Sequence, residues 1–210
     1  MRDAADATRL ARQPEPRVDF FLGAMSPYSW LAAERIGKLL PHARWRALFL
    51  GGLFHGAGRQ SWGFGERREQ EMAECERRAA AYGLGVMRWP EPWPTNDLAV
   101  ARAMTFADRE GALRRFALAA MRLAFLAGRD LERPDTVLEA ARLAEIDPER
   151  VRRALGDEEI KLALRGETDA ALARGVFGVP TVAVGEQLFW GEDRLEQAVL
   201  AAGAHAADAG

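Results

Sequence analysis

Cysteine occurs once in the 210 residues, at Cys75. A single thiol excludes an intramolecular disulfide and any cysteine-based metal cluster. Cys75 lies in the charged run Glu74-Cys75-Glu76-Arg77-Arg78 and reads as incidental. Net charge is equally scarce: 29 Lys and Arg stand against 31 Asp and Glu. That balance lacks the basic excess of a nucleic-acid binder. No apolar run approaches the ~20 residues of a membrane span. The segment Met1 to Pro16 has no apolar core of the kind a secretory signal needs. It is polar and alanine-rich, and residues 1–17 are expected to form a disordered tail, as are residues 203–210 at the other end. A reduced, cytoplasmic protein with neither nucleic acid nor membrane as partner is the default expectation. Apolar residues, by contrast, are abundant at 49%, enough to bury a sizeable core in one domain with an insertion.

The chain is read around Ser26-Pro27-Tyr28-Ser29. Before it, Val18 to Leu22 is a short apolar run typical of a buried strand. After it, Trp30 to Leu40 has helical periodicity. Pro27 falls in the first helical turn, where its missing N–H costs nothing. Ser26 is the expected N-cap, with the free N–H groups and the positive dipole end aimed at its side chain. That is a place to stabilise an anion. The tetrapeptide alone is equally satisfied by a plain Ser-Pro helix cap.

Arg44 to Leu50 reads as a second strand, making a strand–helix–strand unit with parallel pairing. Residues 51–65 hold six glycines in fifteen positions and are expected to be a loop, with His55 an exposed loop histidine. Glu66 to Tyr82 is charged and helical, ending at Gly83 as its C-terminal cap. Arg88 to Asp97 contains three prolines and two tryptophans, so it is extended rather than helical. Trp89 and Trp93 either pack this loop on the core or wall a site for a flat substrate. Asn96 is expected to cap a helix starting at Asp97. Helical patterning then runs to Ala173, broken at Gly128-Arg129-Asp130 and Gly156-Asp157 and reopened at Pro134 and Pro148. Gly175 to Val184 is a loop entering a strand, Gly185-Glu186 a hairpin turn into Gln187 to Trp190, and Leu195 to Ala202 a final helix.

Four motifs together resemble the 2-hydroxychromene-2-carboxylate isomerases and kappa-class glutathione transferases, within the DsbA-like thioredoxin fold. They are Ser26-Pro27-Tyr28-Ser29, Leu50-Gly51-Gly52-Leu53-Phe54, Gly175-Val176-Phe177-Gly178-Val179-Pro180-Thr181 and Phe189-Trp190-Gly191-Glu192-Asp193-Arg194. The resemblance runs from about Val18 to Leu200. It implies an α/β thioredoxin fold over residues 18–202, with a large all-helical insertion at about 66–173 and a cis bond at Val179–Pro180. A capping serine need not bring the other three motifs with it, so their agreement argues against the plain cap.

The resemblance also implies a glutathione site. Ser26, with Pro27 and Tyr28 of the same turn, would hold the sulfur as a thiolate. Val179, before Pro180, would pair with the cysteinyl backbone as an added strand. Glu192 and Asp193 would take the γ-glutamyl end, with Arg194 anchoring that turn. The pattern departs at Gly58-Arg59-Gln60, where the family commonly has Gly-Asn-Lys; Arg59 would offer its charge to the glycyl carboxylate. Trp93 and Asn96 would face the second substrate, an aromatic-derived or electrophilic small molecule. The activity implied is glutathione-dependent cis–trans isomerisation by reversible thiolate addition, without metal, in a homodimer. The alternatives are a kappa-type transferase and a non-catalytic module that binds peptide or glutathione in its groove. Serine at the turn cannot carry a disulfide, which argues against a dithiol oxidoreductase.

Overall fold

A computed structural model describes residues 17–208. The expected tail at residues 1–16 lies outside them. Four strands form one sheet in the order β2-β1-β3-β4. β1 (Val18–Leu22) runs parallel to β2 (Arg44–Ala47) and antiparallel to β3 (Thr181–Val184), which pairs antiparallel with β4 (Gln187–Trp190). β1 is thus the central strand, and Phe20, Phe21 and Leu22 are all buried, which is why the run is apolar without alternation. α1 (Pro27–Leu39) makes the parallel crossover, and the hairpin and α9 (Leu195–Asp208) close the chain. Between β2 and β3 lie α2 (Leu50–Gly56), α3 (Arg68–Ala81), α4 (Leu98–Arg109), α5 (Leu113–Phe125), α6 (Pro134–Leu143), α7 (Pro148–Ala154) and α8 (Glu158–Ala173). This is the α/β thioredoxin arrangement with its helical insertion. Trp30 on α1 stacks on Phe125 of α5 at 5.8 Å, joining sheet and insertion through one core. Among the described residues no helix is long and apolar enough to cross a membrane.

Local signals place most ends. Pro134 and Pro148 open α6 and α7, and Asp157 accepts from the N–H of Glu159 at the start of α8. Gly83 follows α3 with φ +68°, the left-handed conformation a helix end favours in glycine. Three expectations shift. Helix α4 does not run on into α5: Gly111, at φ +65°, turns the chain between them. Asn96 lies one residue before the cap position, Asp97, although its Oδ1 does accept from Leu98 N–H at 2.9 Å. The last helix continues beyond Ala202 to Asp208, so the backbone of residues 203–208 is helical rather than a frayed tail.

The largest correction concerns residues 48–65. The second strand stops at Ala47, and the glycine-rich stretch contains α2 and a short 3₁₀ turn at Trp62–Phe64. Glycine disfavours a helix by about 1 kcal/mol per residue, so the support comes from elsewhere. Asp97 accepts from Leu50 N–H at 3.0 Å and Thr168 from Phe49 N–H at 3.3 Å, capping α2 from two distant segments. The glycines then permit close packing: a Cβ on Gly56 would lie 2.5 Å from a Leu172 methyl on α8.

Cys75 is also unlike its surroundings in the sequence. It is fully buried on the inner face of α3 beside Ala79. Burial pushes its thiol up to about 12, only partly offset by Tyr28. The folded protein is expected to resist a thiol reagent at pH 7.5 and to react once unfolded in guanidinium. Rapid labelling of the folded chain would contradict this placement.

Candidate active site

The end of β1, the start of α1, the α2 segment, the turn before β3 and the turn after β4 surround a cleft of about 730 Å³. The ten residues that the resemblance assigns to glutathione and the second substrate line it, namely Ser26, Pro27, Tyr28, Arg59, Trp93, Asn96, Val179, Pro180, Glu192 and Asp193, whereas Trp89 and His55 do not. The ten do not all present side chains to it in the same way.

Ser26 is the N-cap of α1, with extended φ −91° and ψ 116°. Its Oγ accepts from Ser29 N–H at 3.1 Å, which leaves the hydroxyl hydrogen free to donate into the cleft. Ser29 faces the other way; it is fully buried and accepts from Gly23 N–H at 3.4 Å. The Val179–Pro180 bond is cis. Among the described residues the N–H and C=O of Val179 have no hydrogen-bond partner, whereas Pro180 O accepts from Gly191 N–H at 2.9 Å. An unpaired backbone edge is thus available beside the Ser26 turn.

Glu192 departs from its expected place at the ligand. Its carboxylate is fully buried and receives Arg35 at 2.5 Å and Arg78 at 2.6 Å. It fastens the turn after β4 to α1 and α3, the anchoring role expected of Arg194. Arg194 is exposed and donates to Gln197 of α9 at 3.0 Å. The acid left free at this turn is Asp193, which lines the cleft, exposed and without an ion-pair partner among the described residues. Tyr28 donates to Glu71 at 2.7 Å, and Glu71 pairs with Arg67 at 2.7 Å. Burial, and then the Glu71 hydrogen bond, push the Tyr28 phenol well above its ordinary range, so it stays a donor already engaged with Glu71.

Arg59 lies 4.7 Å from the Trp190 ring centroid and 5.1 Å from that of Phe177, with no carboxylate within ion-pair distance among the described residues. The two tryptophans of the proline-rich segment separate in role. Trp93 lines the cleft and donates to Met25 O at 3.3 Å. Trp89 packs on Trp93 and Phe125 behind it. A third ring, Trp62, meets Trp93 at 4.9 Å and Tyr28 at 6.1 Å and extends the aromatic wall. Inside a glycine-rich stretch it carried no sequence signal. Asn96 is at the outer edge, its Oδ1 committed to the Leu98 N–H.

Asp97 was also passed over in the sequence. It lines the cleft, is only 4% exposed, and caps α2. Burial pushes its carboxyl up to about 6 against the opposing pull of the Leu50 and Gly51 N–H groups. A raised carboxyl pKa makes the neutral form the one that favours folding. Its stabilisation is complete below the ordinary carboxylate range and is lost as pH rises through about 6. The loss by pH 8 amounts to about 3 kcal/mol at most. Urea unfolding at pH 5 and pH 8 should therefore show a pH-dependent component that Asp97→Asn removes. An unchanged difference in the variant would contradict this.

A family model described as the DSBA-like thioredoxin domain matches residues 17–201. Among curated proteins no significant relative is found. Among solved structures, a selenomethionine 2-hydroxychromene-2-carboxylate isomerase is similar at 23% identity with TM-score 0.78, over 89% of this chain and 94% of its own. A "probable DsbA oxidoreductase" from Streptomyces coelicolor is similar at 20% identity with TM-score 0.69, over 90% of this chain and 89% of its own. A DsbA oxidoreductase from Xylella fastidiosa gives 14% and 0.57, over 95% and 87%. At these identities the likeness is one of fold.

Proposed function

The chain belongs to the DSBA-like thioredoxin domain family, and on that premise we propose that it is a glutathione-dependent isomerase acting on an unsaturated, aromatic-derived small molecule. One observation carries the reading: Ser26, Val179, Asp193 and Arg59 each keep a free polar group, and all four line one cleft. Each of these groups suits one part of glutathione. The Asp193 carboxylate suits the free amine, and the Val179 backbone suits an extended peptide laid beside it. Arg59 suits the glycyl carboxylate. The Ser26 hydroxyl and the N-terminus of α1 suit a sulfur anion at the centre.

Glutathione, when bound, supplies the nucleophilic sulfur, which the chain lacks at its own turn. Ser26 donates its hydroxyl hydrogen toward that sulfur and favours the ionised form, as hydrogen bonding to an anion lowers its pKa. The wall of Trp62 and Trp93 holds a flat second substrate and excludes water. A cleft of about 730 Å³ lies within the usual range for ligand sites, roughly 300–1,000 Å³. Addition to an alkene makes its double bond single, so rotation becomes possible before elimination restores it.

Calorimetry with millimolar reduced glutathione is the first test, with saturable binding expected. A folded protein that does not bind would leave a peptide-binding module as the better account. Product analysis with a ring-opened unsaturated aromatic acid follows, and should show isomer without net thiol consumption. Accumulation of a stable glutathione conjugate would identify a transferase instead.

A further inference from the structure

We propose that Asp97 is the proton donor to the second substrate, its carboxyl Oδ1 facing the oxygen on which negative charge gathers. The inference rests on the isomerase reading above. Asp97 sits on the segment that also supplies Trp93 and Asn96 to the cleft. One of its oxygens is committed: Oδ2 accepts from Leu50 N–H at 3.0 Å. The N–H groups of Gly51 and of Asp97 itself also favour the carboxylate, but Oδ1 receives no hydrogen bond of ordinary geometry among the described residues and is not sealed in the interior as an orphan atom would be. A nearly buried carboxyl on the cleft wall therefore keeps one oxygen open. Of the cleft's other donors, Tyr28 is engaged with Glu71, Thr95 with Asp130 and Trp93 with Met25 O, and the free Ser26 and Arg59 are assigned to glutathione.

No charged side chain sets the ionisation of Asp97; burial raises it and backbone N–H groups lower it. On the elements around it, His55 of α2 is exposed, Arg102 of α4 donates to Leu155 O, and Glu167 of α8 pairs with Arg46. Across the cleft, Glu71 pairs with Arg67, Arg78 with Glu74 and Glu192, and Arg59 stacks on Trp190. Below its raised pKa of about 6 the carboxyl is neutral and can donate a hydrogen bond, which the ionised form cannot.

The chemistry calls for such a donor. An alkene accepts a nucleophile only where a conjugated carbonyl takes up the displaced π pair, so negative charge moves to that carbonyl oxygen. Asp97 gives its proton toward this oxygen as the pair arrives. It recovers the proton when the pair returns and the carbon–carbon double bond re-forms. Over the cycle no proton or electron is gained or lost.

The test uses the full chain without glutathione. The probe is a nitrophenol acidic enough to be ionised throughout the titration, because its phenolate oxygen mimics the charged carbonyl oxygen. Wild-type affinity should fall about tenfold per pH unit above the Asp97 pKa, the rate at which its neutral form disappears, while Asp97→Asn should bind independently of pH. Wild-type binding that is absent or flat with pH overturns the proposal, as does an equal fall in Asp97→Asn. Should the variant fail to fold, carboxyl carbon NMR on the wild-type chain decides. Saturating phenolate should raise the Asp97 pKa by about one unit or more, a hydrogen bond to the neutral form favouring it, and no rise overturns the proposal. Glutathione calorimetry separates the two failures. Normal glutathione binding beside a flat phenolate curve removes the role of Asp97 and leaves the isomerase reading standing. Lost glutathione binding beside a falling curve does the reverse.

Discussion

Ser26→Ala is expected to slow the isomerisation about a hundredfold, the effect of removing one preorganised donor worth ~3 kcal/mol to a developing anion. The stability cost should be far smaller, about 1 kcal/mol, because the lost cap serves the single N–H of Ser29 at 3.1 Å. Ser29→Ala is the control on the same turn. Its hydroxyl faces the core and touches Gly23 N–H, so the variant should lose stability by about 1 kcal/mol while retaining most of its rate. Ser26→Cys puts a thiol at the start of α1, where the helix dipole lowers its pKa, and should exchange with oxidised glutathione to give a mixed disulfide and release one reduced glutathione. Initial rates and urea midpoints for the three variants check the set. A Ser26→Ala protein that loses stability and keeps its rate would reduce Ser26 to a helix cap.

Glu192→Gln should produce the largest loss of stability, about 3 kcal/mol or more, as removal of one partner from a buried ion pair usually does. Its fully buried carboxylate faces both Arg35 and Arg78. Neither arginine is wholly stranded by the change, since Arg35 keeps Glu196 and Arg78 keeps Glu74, which holds the loss below full disruption. The same change should weaken glutathione binding, because the Gly191 to Arg194 turn that presents Asp193 is fastened by Glu192. Asp193→Asn should weaken binding without a comparable loss of stability, its side chain being exposed and unpaired among the described residues. Urea unfolding and glutathione calorimetry on both variants separate anchoring from contact. Equal stability of the two would contradict the assignment of Glu192 as the anchor.

The parts of the fold that were legible in the sequence are those written locally. Phe20 to Leu22 is apolar because β1 is interior, and Ser26-Pro27 signals a helix start by side-chain capping and a fixed φ. Pro134, Pro148 and Asp157 mark helix starts in the same way. The cleft residues on the turns at 26–28, 179–180 and 192–193 were found through motifs whose spacing only the fold brings together. What escaped depends on distant partners. Residues 50–56 are helical because Asp97 and Thr168 cap them from 47 and 119 residues away, support that no local pattern contains. Asp97 itself looked like the first residue of a helix, and its burial follows from α2 folding over it. Cys75 sits among charges in the sequence, yet Glu76 and Arg77 are exposed while Cys75 is turned inward beside Ala79. Glu192 looks ligand-facing in the sequence because its two arginines come from α1 and α3.

The central claim is that the Ser26 turn stabilises a sulfur anion in the cleft. Its most direct test is the thiol pKa of bound glutathione, followed by thiolate absorbance during a pH titration of the wild-type complex and of Ser26→Ala at saturating ligand. The account predicts a wild-type value at least about one unit below that of free glutathione, the scale on which a hydrogen bond and a helix N-terminus shift a thiol. It also predicts that the value in Ser26→Ala returns most of the way to that of free glutathione. A bound thiol that titrates like the free one in the wild type, or equally low in both proteins, would contradict it.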